Sequence, residues 1–332
     1  MRVGLDLGSA TVRFADTRRG VVVREPSVIA DGLVGGARFV VGLEAERMLG
    51  RTPASVQAVR PVSAGVVSAP LAVAELVKAL WVQFGNGWRS LGSRPTLVAS
   101  VPARITAAQE EALRRALKVA GFPQVRLVAK PVAAALGAVE STGQSRTTTV
   151  IEIGAETTEV AALAPRIVVC EGIALGGRHF DAAILQHLRE QHGLEADPRE
   201  AERLKKQACS AHPKGDEARG EVYGREIESG LPYTVTVSGR ELREAVAAPL
   251  EAIAGLVSRV LDSTPPGIST DILTHGLVLT GGGAKLRHLD LFLSERTGMK
   301  VRVADHPEDC AVLGLLKTME SLETAEPESE EN

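Results

Sequence analysis

A short pattern that occurs twice constrains this chain more than anything else in it. Val3-Gly4-Leu5-Asp6-Leu7-Gly8-Ser9-Ala10-Thr11-Val12-Arg13 near the start is matched by Thr149-Val150-Ile151-Glu152-Ile153-Gly154-Ala155-Glu156-Thr157-Thr158-Glu159 far downstream. Each is a β-prone apolar run, an acid, one apolar residue, a glycine, a few small or polar residues and a second β-prone run. That order predicts a hairpin with an acid at its mouth. The glycine is expected to turn the chain with φ > 0 and to keep Cβ atoms clear, so that backbone N–H groups face an anion. The acid repels a phosphate directly but suits a hydrated Mg²⁺ that bridges to one. For either copy alone, an ordinary hairpin with an exposed acid is the plainer reading, because short glycine motifs recur by chance. The repeat argues against it.

A third stretch, Gly276 to Leu286, reads as a buried strand (Leu277-Val278-Leu279-Thr280), then Gly281-Gly282-Gly283, then an amphipathic helix carrying Leu286, Leu289, Leu291, Phe292 and Leu293. Backbone can approach a flat ligand closely there, and a helix N-terminus adds partial positive charge.

In that order, two acid-glycine hairpins and a strand-Gly-Gly-Gly-helix resemble the actin and heat-shock chaperone ATPase superfamily. Further stretches resemble the MreB/Mbl-like bacterial actins within it: Glu25 to Ala30, Val41-Gly42, Glu44 to Pro53, Arg60-Pro61, Gly65 to Val67, Val101-Pro102, Pro131 to Gly137 and Val278 to Arg302. The likeness covers residues 2 to 317. It implies an α/β, actin-like (ribonuclease H-like) fold, with two similar domains around a nucleotide cleft, each carrying a smaller outer subdomain. Domain I is expected over residues 1–142, with its outer subdomain near 32–67, and domain II over 143–304, with its outer subdomain near 183–250. Residues 305–319 then return to domain I, and 320–332, rich in glutamate, read as a disordered acidic tail.

Carried across residue by residue, the resemblance makes Asp6 and Glu152 the acids that hold Mg²⁺ through water, and Ser9, Ala10 and Thr11 the first phosphate turn. Ala155, Glu156 and Thr157 become the second turn. Glu202, Arg203, Leu204 and Lys205 flank ribose and base, and Gly281, Gly282, Gly283, Ala284 and Lys285 form the adenosine loop of an ATP site. Without the resemblance, Glu202 and Lys205 read as a solvated helix face with charge pairing at i, i+3.

Three positions depart from the family pattern. The second acid, usually aspartate, is Glu152. The residue before Pro131, usually a glutamate or glutamine that orients the attacking water, is Lys130, whose ammonium has no lone pair to accept from water. A glycine of the second turn is Glu156. A carboxylate about 4 Å from a phosphate costs roughly 4 kcal/mol at an effective dielectric of about 20. Lys130 and Glu156 are either a compensating pair or independent changes at a site released from hydrolysis. Weakened or absent ATP hydrolysis is the expectation.

The implied function is an ATP-binding cytoskeletal filament or scaffold for cell shape and cell-wall peptidoglycan synthesis. It would be cytoplasmic and self-associating, and would meet the inner-membrane surface and wall-synthesis proteins. Trp88 and Leu91, between Arg89 and Arg94, are the membrane candidates, and a tryptophan folded back over a helix end is the equal alternative. No apolar run approaches bilayer length. A net charge of -3 gives no basic surplus for nucleic acid, and Cys170, Cys209 and Cys310 lack metal or disulfide spacing. The rivals are a non-polymerising pseudo-ATPase adaptor and a small-molecule kinase of the same superfold, for which the chain offers no substrate domain.

Along the chain, Leu71 to Phe84 predicts a helix with Leu71, Val73, Leu76, Val77, Leu80 and Trp81 on one face. Thr106 is expected to cap a helix with Gln109 closing a capping box. Pro131 to Val139 is expected as a small-residue helix packing closely across the cleft. Arg199 to Ala211 and Gly239 through Leu261 read as helices, and Ser210 to Gly220 as a mobile loop.

Overall fold

Both repeats form the hairpins their spacing predicts, and each hairpin begins a sheet of the same topology. The computed structural model describes residues 2–30, 39–51, 56–84, 96–138, 147–164 and 167–323. The chain folds as two units, residues 1–143 with 309–332, and residues 144–308.

In the first unit, β1 (Arg2–Leu7) pairs antiparallel with β2 (Thr11–Asp16), and β2 with β3 (Gly20–Pro26). A small sheet joins β4 (Ile29–Ala30), β5 (Val40–Val41) and β6 (Ala58–Val59), with α1 (Gly42–Met48) beside it. A two-strand ribbon follows, β7 (Val62–Ser63) and β8 (Val66–Val67), turned by Ala64 and Gly65, both at positive φ. Next come α2 (Pro70–Phe84), β9 (Thr96–Val101), α3 (Ala107–Val119), β10 (Gln124–Ala129) and α4 (Lys130–Ala138). β9 lies parallel to β1 and β10 parallel to β9, giving the order β10-β9-β1-β2-β3.

The second unit repeats this order. β11 (Thr148–Ile153), β12 (Thr158–Ala164) and β13 (Ile167–Ile173) form an antiparallel meander. Then come α5 (Gly177–His192), β14 (Leu194–Ala196), α6 (Pro198–Ala208), β15 (Arg219–Glu226), β16 (Pro232–Ser238), α7 (Gly239–Ala245), α8 (Ala247–Ser263) and α9 (Pro266–His275). β17 (Leu277–Thr280), α10 (Leu289–Thr297) and β18 (Val301–Val303) complete it. β17 runs parallel to β11 and β18 parallel to β17, so the sheet reads β13-β12-β11-β17-β18, the first unit's order and directions again. β14, β15 and β16 form a separate small sheet.

The cores follow from the sequence periods. α2 buries Val73, Leu76, Val77 and Leu80, and Trp81 packs at 5.7 Å from Phe14 and 5.4 Å from Phe122, ring centre to ring centre. Leu71, expected on that face, is exposed; at about 100° per residue it projects from the opposite side of the helix. Thr106 and Gln109 make the expected capping box, at 3.3 Å and 3.0 Å.

Four expectations need correction. The 239–261 segment is two helices broken at Val246, because Pro249 has no N–H and its ring opposes the carbonyl of Ala245. α6 stops at Ala208. Ser210 to Gly220 is a packed turn: Ser210 is buried, and its hydroxyl lies 3.0 Å from His288 Nδ1 and donates to the His212 carbonyl at 2.8 Å. Asp216 in the same turn forms a two-point ion pair with Arg243. The C-terminal helix (Cys310–Glu323) runs four residues into the stretch read as a disordered tail; residues 324–332, like Trp88 and Leu91, lie outside the described residues.

α4 does pack closely, against the C-terminal helix of its own unit. A Cβ on Gly137 would lie 1.8 Å from the Cys310 carbonyl oxygen, and one on Gly314 1.7 Å from that of Ala133. Neither backbone can yield without separating the helices. Gly137→Ala or Gly314→Ala is therefore expected to destabilise by about 3 kcal/mol or more. Gly255→Ala, on α8 with only the tip of Arg259 nearby at 3.7 Å, should stabilise by about 0.5–1 kcal/mol. Urea unfolding curves of the three variants check the opposite signs.

Candidate functional site

The first turn is closed by the Gly8 N–H donating to the Thr11 carbonyl at 3.1 Å, and the second by Gly154 donating to Thr157 at 2.8 Å. Neither glycine has the positive φ expected of it. Their role is space: a Cβ would sit 3.0 Å from the Thr11 carbonyl oxygen in one turn and 3.4 Å from that of Thr157 in the other.

Asp6 sits one residue before the end of β1, 2 % exposed. Ser100 of β9 donates to its Oδ1 at 2.6 Å. Lys130 Nζ lies 3.5 Å from the same oxygen, and Arg13, its cross-strand partner on β2, 3.7 Å from Oδ2. Arg13 in turn faces Asp309 at 3.3 Å, and Asp309, just before the C-terminal helix, binds Arg24 of β3 at 2.6 Å. Three cations, Lys130, Arg13 and Arg24, thus alternate with the two carboxylates Asp6 and Asp309. Burial pushes the Asp6 carboxyl up, but Lys130, Arg13 and the Ser100 hydroxyl outweigh it and hold the group below the usual carboxylate range. Ser9 is buried and accepts the Gly65 N–H at 3.1 Å, fixing the turn to the β7–β8 ribbon. Ala10 and Thr11 are half-buried.

The second turn solves its electrostatics differently. Glu152 stands directly opposite Glu159 across β11 and β12, and both are buried. Directly paired residues project from the same sheet face, so two acids share one buried patch. Glu156, between half-buried Ala155 and Thr157, is ion-paired with Arg178 in the first turn of α5. Within its own unit Lys130 pairs with Asp6, and Glu156 with Arg178. The start of α5 is locked to the turn: Gly177 N donates to the Gly154 carbonyl at 3.0 Å and Arg178 N to that of Ala155 at 2.8 Å.

On α6, Lys205 is tied to Asp181 at 2.7 Å and to the Gly177 carbonyl at 2.9 Å. Glu202 pairs with Lys206, not Lys205, on the exposed face, and Arg203 binds Glu200 at 2.7 Å. Leu204 and Ala284 are core residues, so only their backbone is available to a ligand. Gly281 has φ +79°, and a Cβ there would lie 2.4 Å from the Ile153 carbonyl oxygen; Gly283 lies as close to the Ile153 side chain. Gly282 has open space around it, and a short 3-10 turn, Gly282–Lys285, precedes α10 in place of the continuous helix expected. Lys285 pairs with Glu308.

The MreB/Mbl protein family model matches residues 1–327. The chain belongs to the MreB/Mbl family. It is 35 % identical to the cell shape-determining protein Mbl of Bacillus subtilis, over 96 % of this chain and 97 % of that one. It is 36 % identical to the cell shape-determining protein MreB of Escherichia coli, over 97 % and 94 %. MreB5 of Spiroplasma citri, solved bound to ADP, superposes with a TM-score of 0.89 at 27 % identity, each chain 97 % covered. A MamK double helical filament structure shares the fold, with a TM-score of 0.79 at 20 % identity over 96 % of this chain and 99 % of that one. This is an actin-like cytoskeletal protein of the MreB/Mbl type. No helix among the described residues is long and apolar enough to cross a membrane.

For this MreB/Mbl chain, sequence reasoning named Asp6, Lys130, Glu152, Glu156 and Lys205 but missed Arg13 and Ser100 beside Asp6, Arg178 beside Glu156, Asp181 beside Lys205, and Asp309 behind Arg13. Arg13 was readable, since the hairpin register that closes Gly8 on Thr11 sets it opposite Asp6. The others come from distant segments.

Because the folded-state pKa of Asp6 is depressed, its contribution is present above the unfolded value near pH 4 and is lost as pH falls through the folded value. Asp6→Asn strands two cations and should cost about 2–4 kcal/mol at pH 7. The gap from the natural chain should shrink between pH 5 and pH 3, as roughly the range over which an unfolded aspartate protonates. Urea unfolding followed by tryptophan fluorescence at both pH values measures it.

Proposed function

We propose that the chain is a nucleotide-binding filament or scaffold protein for cell shape that holds ATP without turning it over efficiently. The observation that carries this is Lys130 Nζ at 3.5 Å from Asp6 Oδ1. An ammonium offers donors and no acceptor, so it can meet a terminal phosphate but cannot take a hydrogen bond from the attacking water. Asp6, held ionised below the usual range, is a weak base and is already engaged. Lys130 and Arg13, both beside Asp6, favour binding of a polyphosphate at the first turn. The Arg178 pairing offsets the repulsion that Glu156 would otherwise exert.

The donor sets divide the implied cofactor. Asp6 has a resident cation in Lys130, whereas buried Glu152 and Glu159 present two acids on one face, a set that fits a hydrated Mg²⁺. Mg²⁺ there would neutralise phosphate charge. The chain's own groups hold the rest: Gly281 and Gly283 seat the loop on Ile153, leaving Gly282 open to a flat ligand, and Lys205 braces α6 against α5. Self-association into filaments, contact with the inner-membrane surface and recruitment of wall-synthesis proteins are parts of the same reading, and family membership is what supports them. The solved MreB5 structures, bound to ADP and to AMPPNP, support nucleotide binding.

Calorimetry with ATP and Mg²⁺, single-turnover hydrolysis and sedimentation test the reading together. The natural chain should bind ATP, sediment as polymer and hydrolyse at least about a hundredfold more slowly than Lys130→Glu, the size of effect a general base supplies. Arg178→Ala should weaken ATP binding by about a hundredfold. Efficient turnover by the natural chain, abolished by Lys130→Ala, would overturn the proposal. Binding without polymer would favour the adaptor reading.

A further inference from the structure

At the end of α5 two histidines meet an acid from α7. His187 and His192 have ring centres 5.7 Å apart, nearly edge to face. His192 Nε2 lies 3.2 Å from Glu241 Oε1. One donor atom from each of the three residues falls within 4.8 Å of the other two, the one such His/Cys/Asp/Glu group among the described residues. We propose that His187, His192 and Glu241 form a binding site for a divalent transition-metal ion of the Zn²⁺ class.

The donor chemistry fits. Two imidazoles and one carboxylate are the set Zn²⁺ takes in three-ligand sites, with water in the fourth position. Tetrahedral donors about 2.1 Å from the ion stand about 3.3 Å apart. The His192–Glu241 separation of 3.2 Å already matches, and the His187 ring would have to turn to close the remainder. His187 Nε2 is buried and makes no hydrogen bond in the structure, an arrangement a ligand would relieve.

The supporting groups are in place. Glu241 is the third residue of a capping box: its Oε2 accepts from Ser238 N at 2.9 Å and from Ser238 Oγ at 2.6 Å, which leaves Oε1 aimed at the histidines. Such outer hydrogen bonds orient a metal-binding carboxylate. His192 is the last residue of α5, which Gly193 ends at φ +58°, so the negative end of the helix dipole faces the site. Glu190 and Glu244 add negative potential. Two of the three cysteines are poor rivals, since the Cys209 thiol is pushed up to about 12 by burial and Cys310 is buried in the other unit. A bound ion would staple the end of α5 to the start of α7.

The untagged full chain, stripped with chelator and free of nucleotide, should take up one Zn²⁺ per chain in calorimetry. Co²⁺ should give a tetrahedral visible spectrum without a thiolate charge-transfer band. His187→Ala, His192→Ala and Glu241→Gln should each weaken Zn²⁺ binding by at least about tenfold, and Zn²⁺ should raise the thermal midpoint of the natural chain alone. Glu241→Gln keeps an acceptor for the Ser238 cap, so it remains informative if a histidine variant folds poorly. The proposal fails if Zn²⁺ does not bind up to millimolar concentration, if all three variants bind as the natural chain does, or if the Co²⁺ spectrum shows thiolate ligation.

Discussion

A buried carboxylate is tolerable only when charges and donors surround it, and Asp6 imposes that condition on the whole first unit. An isolated ion at 2 % exposure would cost several kcal/mol. Its three partners come from β2, β9 and the start of α4. The sheet order β10-β9-β1-β2-β3 is what delivers them: β9 and β2 flank β1, and α4 begins where β10 ends. Arg13 then passes the constraint to Asp309, which draws the C-terminal helix onto the same unit with Arg24 as its second anchor. Chain return, strand order and local charge are thus one arrangement seen at three scales.

The second unit repeats the topology without repeating the electrostatics. Where Asp6 faces an arginine across its hairpin, Glu152 faces another acid. Like charges directly opposite one another destabilise a strand pair, so this hairpin has a repulsion to offset that the first does not. The duplicated fold therefore carries one turn with Lys130 and Arg13 beside its acid and one with two buried acids directly opposite each other. The substitution at Lys130 sharpens the difference, since a glutamate or glutamine there would leave Asp6 with only Arg13 as a counter-ion.

The fold was largely legible because it rests on local patterns. The hairpins, the 3.6-residue period of α3 and the Thr106 capping box are written within a dozen residues each. What escaped lies at longer range. The break at Val246 was readable from Pro249 but hidden by an apolar period that continues across it. Ser210 to Gly220 reads as a loop by composition, and only His288 and Arg243, far along the chain, make it a packed turn. In the candidate site the acids and Lys130 were visible as departures from a motif. The groups around them were not, because Arg178 reaches Glu156, and Asp309 reaches Arg13, through tertiary folding rather than through spacing.

Glycines explain why a site altered in charge can keep its shape. Gly176 packs so tightly on the second turn that a Cβ would fall 2.6 Å from the Gly154 carbonyl oxygen, and Gly281 seats against Ile153 just before that turn. These are backbone-to-backbone contacts, indifferent to the side chains at Glu156 or Lys130. The turns are held by packing and by the Gly8–Thr11 and Gly154–Thr157 hydrogen bonds, so a ligand need not supply the free energy of ordering them. In the proposed reading, binding would rest on that preorganised backbone, whereas hydrolysis would need an acceptor placed to orient water. The two requirements rest on different atoms, and a chain can lose the second while retaining the first.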